Sequence, residues 1–508
     1  MTDGPTHSHW DAVPELDPGM QAGMVRALRD ALQATLIETH ISWVLVAGGQ
    51  AYKFKKAMST AFLDQSTREL RLRACKEELR LNRRLAPELY ESVVAVTGST
   101  SAPLLGGSGP VIDHAVRMRS FDQDGLWERR AEQGTLTAAD VDSLVALLVE
   151  FHERCERVDP ASLFGTSAAV RHTVLQNLQE LEQAGLAELL TTEDRDRLRT
   201  WEEEAFAKAH HRIDERRTRG HVRECHGDLH LGNVTLFEGR TTVFDGIEFS
   251  PALRWTDVMA DLAFMAMDLQ AHGLSPLANR LLNAYVEASG DHDGLPVLDY
   301  LLVHRALVRA KVALLRARQQ GQRDEPAAMA AARRYLGLAL QLTAAPAPQL
   351  IITHGCSGSG KSTVTQRLLE ELGAVRLRSD VERRRLEHLA DVARYSDAAN
   401  EATYARLVLL AERLLKDGHP VILDATFLRS ASRQVAWQLA KKLQVPFAIL
   451  DFVNGAELDL MRRRLIERAA RGGDASEADI AVLEDQLKRI EPLQAEEMVV
   501  VRPAWPQR

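Results

Sequence analysis

The sequence predicts two domains of different class, an α+β domain followed by an α/β domain with a parallel sheet. Three observations support this prediction. Short strand patterns precede long helical patterns in the first part of the chain, strands and helices alternate in the last part, and a spacer with two prolines lies between them. The length of 508 residues agrees with more than one domain, because single domains usually hold roughly 100–200 residues.

The spacer at residues 343–349 locates the boundary between the domains. Its prolines cannot continue the preceding helix and favour an extended chain. We therefore expect a first domain over residues 1–342 and a second over residues 350–508. Within the first domain we expect a small lobe over about 25–122 and a helical lobe over about 123–342.

The composition is that of a soluble protein, with 45% hydrophobic and 26% charged residues. No apolar run approaches the ~20 residues that cross a bilayer, and the first residues lack the basic start and apolar middle of a secretion signal. The four cysteines are far apart, without pairing or metal-ligand spacing. A net charge of −8 disfavours nonspecific nucleic-acid binding. We expect a cytoplasmic enzyme with no membrane segment.

The first domain opens with strand signals. Residues 41–47 and 51–56 are predicted as two strands joined by a tight Gly-Gly turn, and further strands are predicted at 93–96 and 115–119. From about 135 to 220 the apolar pattern becomes helical. A small β-rich lobe followed by a larger helical lobe is the layout of a protein-kinase-like fold.

The segment His226-Gly-Asp-Leu-His-Leu-Gly-Asn233 spaces Asp228 and Asn233 as in the catalytic loop H-x-D-x-x-x-x-N. After a predicted hairpin comes Asp245, in the segment FDGIEF. Phosphoryl transfer needs Mg²⁺ beside the phosphate oxygens, and hard oxygen ligands hold that ion. Asn233 and Asp245 can supply such ligands, and Asp228 can take the proton of an acceptor hydroxyl.

With HGDLHLGN and FDGIEF, residues 40–270 resemble the aminoglycoside phosphotransferase family and its choline-kinase-like relatives. The resemblance implies an aminoglycoside phosphotransferase-like fold of the protein-kinase type. It implies that Asp228 is the catalytic base and that Asn233 and Asp245 bind Mg²⁺. Glu248 is a further candidate for a second metal or its water shell.

The resemblance also implies a strand lysine that contacts the ATP phosphates and pairs with a helix glutamate. Lys53 and Lys55 alternate on one face of the second strand, and either can serve. Glu78 fits the family's E-x-x-h-x-x-x-L helix better than Glu77 does. The chain departs from the kinase pattern at the phosphate-covering loop, where Gly-Gly replaces a full G-x-G-x-x-G.

Two stripes of like charge follow at helical spacing. One is acidic and suits a cationic substrate, or is a scaffold feature of the fold; the other is basic and suits an anionic substrate. For both we favour a solvated helix surface. The acidic stripe is Asp257, Asp261 and Asp268, and the basic stripe is Arg305, Arg309 and Arg316.

The second domain begins with a complete Walker A motif between a predicted strand and a predicted helix. Its glycines let backbone N–H groups surround phosphates, its lysine reaches the β- and γ-phosphates, and its serine binds Mg²⁺. The predicted ATP-binding residues are Gly355, Cys356, Ser357, Gly358, Ser359, Gly360, Lys361, Ser362 and Thr363.

Asp424 ends a predicted strand, where a carboxylate associated with Mg²⁺ is expected, and Ala425 replaces the glutamate of motor ATPases. No N-K-x-D motif for guanine occurs. These features favour a kinase of small substrates. The P-loop half also resembles polynucleotide 5′-kinases and zeta-toxin-like kinases, through Arg378–Arg383, Asp424-Ala-Thr426 and an arginine run. The run is Arg462, Arg463, Arg464 and Arg468, for which a solvated helix face is the alternative. By that resemblance, Asp380 is the acceptor base, and the substrate and lid residues are Arg383, Arg433, Arg464 and Arg468.

Together these features predict a bifunctional enzyme that uses ATP and Mg²⁺ to phosphorylate hydroxyl groups of small molecules. Two alternatives stay open. The C-terminal half can be a nucleic-acid 5′-hydroxyl kinase, which the acidic charge of the chain does not favour. It can also be an ATP-binding module that regulates the N-terminal kinase.

Overall fold

The structure is a computed structural model that describes residues 15–60, 63–319, 325–344, 347–386, 396–453, 458–471 and 478–503. Three parts of the expected ranges lie outside the described residues: the start of the first domain (1–14), the end of the second (504–508) and residues 345–346 of the predicted spacer. In the part of the chain that is described, no helix has the length and apolarity to span a membrane.

The small lobe is an antiparallel sheet with two helices. Its sheet has the strand order β1-β2-β3-β6-β4-β5 within the described residues. The elements are α1 (Pro18–Leu32), β1 (Thr35–Glu38), β2 (Ser42–Ala47), β3 (Gln50–Lys55), α2 (Arg68–Asn82), β4 (Tyr90–Gly98), β5 (Pro103–Leu105) and β6 (Val111–Arg119). The turn from β2 to β3 has φ of 57° at Gly48 and 78° at Gly49, the left-handed values that a two-residue hairpin requires. Lys53 and Lys55 are two residues apart in β3 and therefore lie on one face of that strand.

The helical lobe buries the apolar face predicted around residues 144–151, with Leu144, Leu148 and Phe151 all inside the core. The hairpin of β8 and β9 pairs Val234 with Val243. The elements are α3 (Trp127–Glu132), α4 (Ala138–Arg154), α5 (Ser167–Gln183), α6 (Thr192–Thr218), β7 (Val222–Glu224), β8 (Val234–Phe237), β9 (Arg240–Val243), α7 (Pro251–Arg254), β10 (Trp255–Asp257), α8 (Val258–Ala271), α9 (Ser275–Ser289), α10 (Leu295–Gln319) and α11 (Glu325–Leu342).

The C-terminal half is the predicted α/β fold with a parallel sheet. Within the described residues its strand order is β12-β13-β11-β14-β15, and each neighbouring pair is parallel. The carboxyl ends of the strands therefore meet at one edge of the sheet, where ligands bind in such folds. The elements are β11 (Leu350–His354), α12 (Lys361–Leu372), β12 (Val375–Arg378), α13 (Ser379–Arg384), α14 (Asp397–Lys416), β13 (Val421–Asp424), α15 (Ser430–Leu443), β14 (Phe447–Asp451), α16 (Leu458–Arg471), α17 (Ile480–Arg489) and β15 (Val501–Pro503).

Helix α9 of the N-terminal half packs against α12 and the edge strand β12 of the C-terminal half. The Asn283 amide pairs with this strand as a neighbouring strand would. Its Nδ2 donates to the Ala374 carbonyl at 3.1 Å, and its Oδ1 accepts from the Arg376 N–H at 2.9 Å. Glu287, one turn further along, contacts the guanidinium groups of Arg376 and Arg378 at 3.3 and 3.1 Å. The two halves therefore share a polar interface.

Asn283→Ala should lower the free energy of unfolding by about 1–3 kcal/mol, because the Ala374 carbonyl and the Arg376 N–H lose the hydrogen bonds that the amide forms with them. Amide hydrogen exchange at Arg376 should become faster in the same variant. Denaturant unfolding and exchange measured by mass spectrometry check both effects. Gln341→Ala, at an exposed position near the end of α11, is the control. Equal behaviour of the two variants would contradict the role given to Asn283.

Candidate active sites

Glu78 lies at the centre of a buried network of ions between the two lobes. Lys53 Nζ lies 2.8 Å from its Oε1, and Lys55 Nζ lies 2.5 Å from its Oε2. Lys53 also contacts Asp245, and Lys55 also contacts Glu248. Burial would raise the pKa of Glu78, but the two lysines hold it below its usual range. Both candidate lysines thus meet the predicted glutamate, and both reach the segment that contains Asp245.

The loop that contains Asp228 is held in place by a carboxylate of α8. Asp261 is fully buried, and its two oxygens accept the backbone N–H groups of His226 and Gly227, each at 2.9 Å. Gly227 has φ of 84°, and a Cβ there would lie 2.9 Å from the Leu253 carbonyl oxygen. The backbone next to Asp228 is therefore held on both sides, and only glycine fits at position 227.

Asp228 is partly exposed, with 35% of its side chain accessible. Its Oδ2 lies 3.6 Å from His230 Nε2, and the Asn233 Nδ2 donates to its backbone carbonyl at 2.9 Å. Desolvation would raise the pKa of Asp228, but His230 and, beyond it, Arg309 hold that pKa well below the usual range. Asp228 is therefore ionised at neutral pH and able to accept a proton.

Asp245 has φ of 63°, in the left-handed region that aspartate adopts only rarely. Its backbone N–H donates to the Tyr90 hydroxyl at 3.2 Å, and the next N–H, at Gly246, donates to Asn82 Oδ1 at 2.8 Å. These contacts with the small lobe stabilise the strained turn. They direct Asp245 into the cleft between the lobes.

The donor set suits a magnesium ion. Asp245 provides a carboxylate, and Asn233 provides an amide oxygen, since its Nδ2 already donates to Asp228; both are hard oxygen donors. Two lysines face three carboxylates in this network, those of Glu78, Asp245 and Glu248. One negative charge is left when all five groups are ionised, and this charge would attract a cation.

The expectation of a solvated surface is wrong for the acidic stripe, because Asp257, Asp261 and Asp268 are all buried. Asp257 forms an ion pair with Arg216 at 2.7 Å. Asp268 accepts from the Leu231 N–H at 3.0 Å and from the Tyr335 hydroxyl at 2.6 Å. Asp261 and Asp268 therefore serve as internal acceptors for the backbone of the loop that contains Asp228, whereas Asp257 pairs with Arg216.

The Walker A segment forms the predicted loop between β11 and α12. Gly358 has φ of 81°, and a Cβ there would lie 2.8 Å from the Met461 carbonyl oxygen. Lys361 Nζ donates to the Cys356 carbonyl at 2.7 Å. Burial lowers the pKa of Lys361, against the attraction of Asp424. The Ser357 N–H donates to Gln486 Oε1 at 2.7 Å, which ties the loop to α17.

A cavity of about 1320 Å³ opens above this loop. Ser357, Gly358, Gly360, Lys361, Ser362 and Thr363 line it, whereas Gly355, Cys356 and Ser359 are absent from its lining as described. Asp380, Arg383 and Asp424 also face the cavity. Arg383 Nη1 lies 3.2 Å from Asp380 Oδ1, and Asp424 Oδ2 accepts from the Thr365 hydroxyl at 3.1 Å.

Two of the predicted lid arginines reach the cavity from α16. Arg464 Nη1 donates to the Gly358 carbonyl at 3.3 Å, and Arg468 Nη2 donates to the Ala478 carbonyl at 2.6 Å. Both line the cavity together with the phosphate loop. The arrangement places positive charge beside the Walker A backbone.

Arg433 requires a correction, because its side chain is buried and lies outside the described lining of the cavity. Its Nε and Nη2 donate to the Glu497 carboxylate at 2.8 and 3.0 Å. Nη1 donates to the Phe427 carbonyl at 3.1 Å. Arg433 therefore joins α15 to the C-terminal segment instead of contacting a substrate. The sequence pattern gave no sign of the distant partner Glu497.

Some residues of the sites escaped the sequence analysis. Tyr404 accepts the Phe427 N–H at 2.9 Å and contacts the Thr426 hydroxyl at 3.1 Å, next to Asp424. Gln486 and Tyr335 act from helices far along the chain. His230 was detectable, because it belongs to the HGDLH segment and its spacing of two residues from Asp228 is a local signal.

Comparison with known proteins finds a family model for each half of the chain. The model of the phosphotransferase enzyme family matches residues 48–301, and a model described as an AAA domain matches residues 350–493. An uncharacterized protein of Mycobacterium tuberculosis (strain ATCC 25618 / H37Rv) is 32% identical over 464 residues, which cover 87% of this chain and 88% of that protein.

Two solved structures complete the comparison. A choline kinase from Cryptosporidium parvum Iowa II has a TM-score of 0.37 and 11% identity, and the match covers 62% of this chain and 89% of that one. A gluconokinase from Sinorhizobium meliloti 1021 has a TM-score of 0.24 and 20% identity, with 32% and 85% covered.

The fold and the sites thus define two kinase-like domains in one chain, an aminoglycoside phosphotransferase-like domain and a P-loop domain. The chain belongs to the phosphotransferase enzyme family. It is an ATP-dependent phosphotransferase, and the predicted fold class is confirmed for both halves.

Asp261→Asn should destabilise the loop that contains Asp228. The amide offers one acceptor oxygen where the carboxylate offers two, so one of the two buried N–H groups loses its partner. We expect a loss of about 1–3 kcal/mol in unfolding free energy and faster exchange of the Gly227 amide. Asp196→Asn, at an exposed position of α6, is the control, since a surface pair contributes little. A loss of stability as large in the control would refute the argument.

Proposed function

We propose that the protein holds two working kinase centres, each of which transfers the γ-phosphate of ATP to a hydroxyl group of a small molecule. One observation carries the proposal. In each half, a candidate base is connected to a lysine suited to phosphate. Asp380 and Lys361 line one cavity, and Lys53 contacts Asp245, whose neighbour Phe244 donates its N–H to the Asn233 carbonyl of the loop that contains Asp228. Separate domains over residues 1–342 and 350–508 are part of this proposal.

In the N-terminal centre, Asp228 accepts the proton of the acceptor hydroxyl. The hydroxyl oxygen forms a bond to the γ-phosphorus, the bond from that phosphorus to the β–γ bridging oxygen breaks, and ADP leaves. Lys53, held by Glu78, neutralises phosphate charge. Asn233 and Asp245 would hold Mg²⁺, which supplies charge stabilisation when bound. Lys55 keeps Glu78 and Glu248 in place from the buried side.

In the C-terminal centre, Asp380 accepts the proton and Arg383 orients the acceptor. Their contact at 3.2 Å places both at the end of β12, beside the Walker A loop. Lys361 binds the β- and γ-phosphates, and Ser362 and Asp424 would hold Mg²⁺. Arg464 and Arg468 stabilise the negative charge of the transferring group. The bond changes are the same as in the first centre.

The interface between the halves favours a second candidate, in which the C-terminal half binds ATP and regulates the N-terminal kinase. Glu287 of α9 contacts Arg376 and Arg378, and Asp380 lies two residues further along the chain. Nucleotide bound at the Walker A loop would then act on α9 through this strand. The experiments below separate the two candidates.

Asp228→Asn and Lys361→Ala should silence different centres of the full-length chain. Asp228→Asn should reduce N-terminal transfer by ~10²–10⁴-fold, because it removes the general base. Lys361→Ala should abolish nucleotide binding at the P-loop and leave Asp228-dependent transfer unchanged. Transfer from γ-labelled ATP to a panel of alcohols, measured for both variants, checks the assignment.

Each outcome of this comparison has one meaning. Near-normal transfer by folded Asp228→Asn protein would remove Asp228 from the mechanism. Loss of Asp228-dependent transfer in Lys361→Ala would favour the regulatory candidate over two independent centres. Circular dichroism establishes that both variants are folded.

Asp380→Asn and Arg383→Ala should fail in different ways. Asp380→Asn should lower kcat by ~10²–10⁴-fold with little change in ATP affinity, because it removes proton acceptance in the transition state. Arg383→Ala should mainly raise the KM of the acceptor, because it removes a binding contact. Steady-state kinetics in the Asp228→Asn background isolate this centre. Arg384→Ala, on the same helix but outside the described cavity lining, is the control.

ATP turnover by the C-terminal half that no sugar, nucleoside or 5′-hydroxyl oligonucleotide stimulates would contradict a kinase role for this centre. Preference for oligonucleotides would instead support a nucleic-acid kinase.

A further inference from the structure

A second, smaller cavity of about 260 Å³ lies beside the N-terminal centre, between α10 and α11. Arg309, Arg316 and Arg334 line it, together with Glu128 and Tyr335. The two helices contribute residues at helical spacing, so that one face of each helix forms a wall. The cavity can accommodate a group of a few non-hydrogen atoms.

This cavity lies close to the candidate catalytic carboxylate of Asp228, because His230 contacts both Asp228 and the lining residue Arg309. Arg309 Nη1 lies 3.4 Å from His230 Nε2, and the same nitrogen of His230 lies 3.6 Å from Asp228 Oδ2. Arg309 Nε also donates to the Tyr335 hydroxyl at 3.3 Å, which fixes the guanidinium at the wall of the cavity. Arg309 Nη1 therefore lies within about 7 Å of Asp228 Oδ2, a span that a small bifunctional molecule can bridge.

The cavity carries an excess of positive charge. Glu128 is the single carboxylate among its described lining residues, and it approaches Arg309 at 3.9 Å. Neither Arg316 nor Arg334 forms an ion pair with any described residue. Asp268 and Asp228 outside the lining attract the charge of Arg309, so among the described residues the positive charge without a close carboxylate is that of Arg316 and Arg334.

A fourth arginine, Arg305 of the basic stripe, lies one turn before Arg309 on α10. Arg305 is buried, its guanidinium lies over the Phe264 ring at 4.7 Å, and its Nε has no hydrogen-bond partner among the described residues. Burial lowers the pKa of Arg305, although Asp261 and Asp228 attract its charge. Because Arg305 is buried, the expectation of a solvated surface is wrong for the basic stripe at this position.

We propose that the acceptor of the N-terminal centre is an anionic alcohol, whose phosphate or carboxylate group binds Arg309, Arg316 and Arg334 while its hydroxyl meets Asp228. The proposal rests on the kinase function proposed for this centre. Guanidinium groups bind phosphate and carboxylate through paired N–H donors. The same field repels a cationic amine, so polycationic acceptors are disfavoured here.

The test uses full-length protein with Lys361→Ala, which silences the P-loop, and sets of alcohols that differ only in charge. One set is glycerol 3-phosphate, glycerol and choline; another is glucose 6-phosphate, glucose and glucosamine. We expect the anionic member to be phosphorylated with kcat/KM ~10-fold or more above the neutral one, the gain of about one charged hydrogen bond. The cationic member should be poorest.

Arg316→Gln and Arg334→Gln should each raise the KM of the anionic acceptor by ~10-fold, with kcat and the KM of ATP nearly unchanged. Arg333→Gln is the matched control, because it removes the same charge from the next position of α11 but lies outside the described lining. Thermal-shift titration with glycerol 3-phosphate, in parallel with glycerol, reports binding without turnover. The stabilisation by glycerol 3-phosphate should be lost in Arg334→Gln and kept in Arg333→Gln.

Failure of this proposal differs from failure of the kinase function. Asp228-dependent transfer that prefers neutral or cationic alcohols would overturn the anionic acceptor and leave the kinase function intact. The same follows if Arg333→Gln and Arg334→Gln have equal effects, or if Arg334→Gln raises the KM of ATP instead. Absence of Asp228-dependent transfer to any alcohol, with binding of glycerol 3-phosphate still dependent on Arg334, would retain the anion site and refute the kinase function.

Discussion

The N-terminal centre depends on the way in which the buried carboxylate of Glu78 is neutralised. A carboxylate without water around it needs cations at contact distance, and two lysines of one strand meet it here at 2.8 and 2.5 Å. This requirement fixes α2 against β3, and through the second contacts of the lysines it fixes the turn at Asp245 and Glu248. The small lobe and the helical lobe therefore meet in one geometry.

Local sequence patterns located the candidate groups, whose catalytic roles stay predictions. The catalytic-loop spacing of Asp228 and Asn233, the lysines of β3 and the Walker A segment are all short patterns whose backbone context follows from strand and helix signals. The fold class of both halves was predictable for the same reason. The choice between Lys53 and Lys55 was not, because it depended on Glu78 having two oxygens with a different lysine at each.

The surroundings of a charged residue were predicted wrongly where its partner is distant in sequence. Arg433 and Glu497 meet across 64 residues, and Asp268 and Tyr335 across 67. A periodic pattern can show that a helix face is charged, but not whether the facing element buries it. Thus Asp261 and Asp268 of α8 accept hydrogen bonds from the backbone of the catalytic loop, where the scaffold interpretation of the acidic stripe is correct and the solvated surface is not.

The amide of Asn283 has a consequence for biosynthesis. An exposed edge strand can pair with strands of other molecules, which leads to aggregation. Here β12 is the edge of the parallel sheet, and the N-terminal half covers part of it with a side chain. Because the N-terminal half is synthesised first, Asn283 leaves the ribosome before β12 does. The order of the two halves along the chain thus allows this part of the edge to be covered as soon as the C-terminal sheet forms.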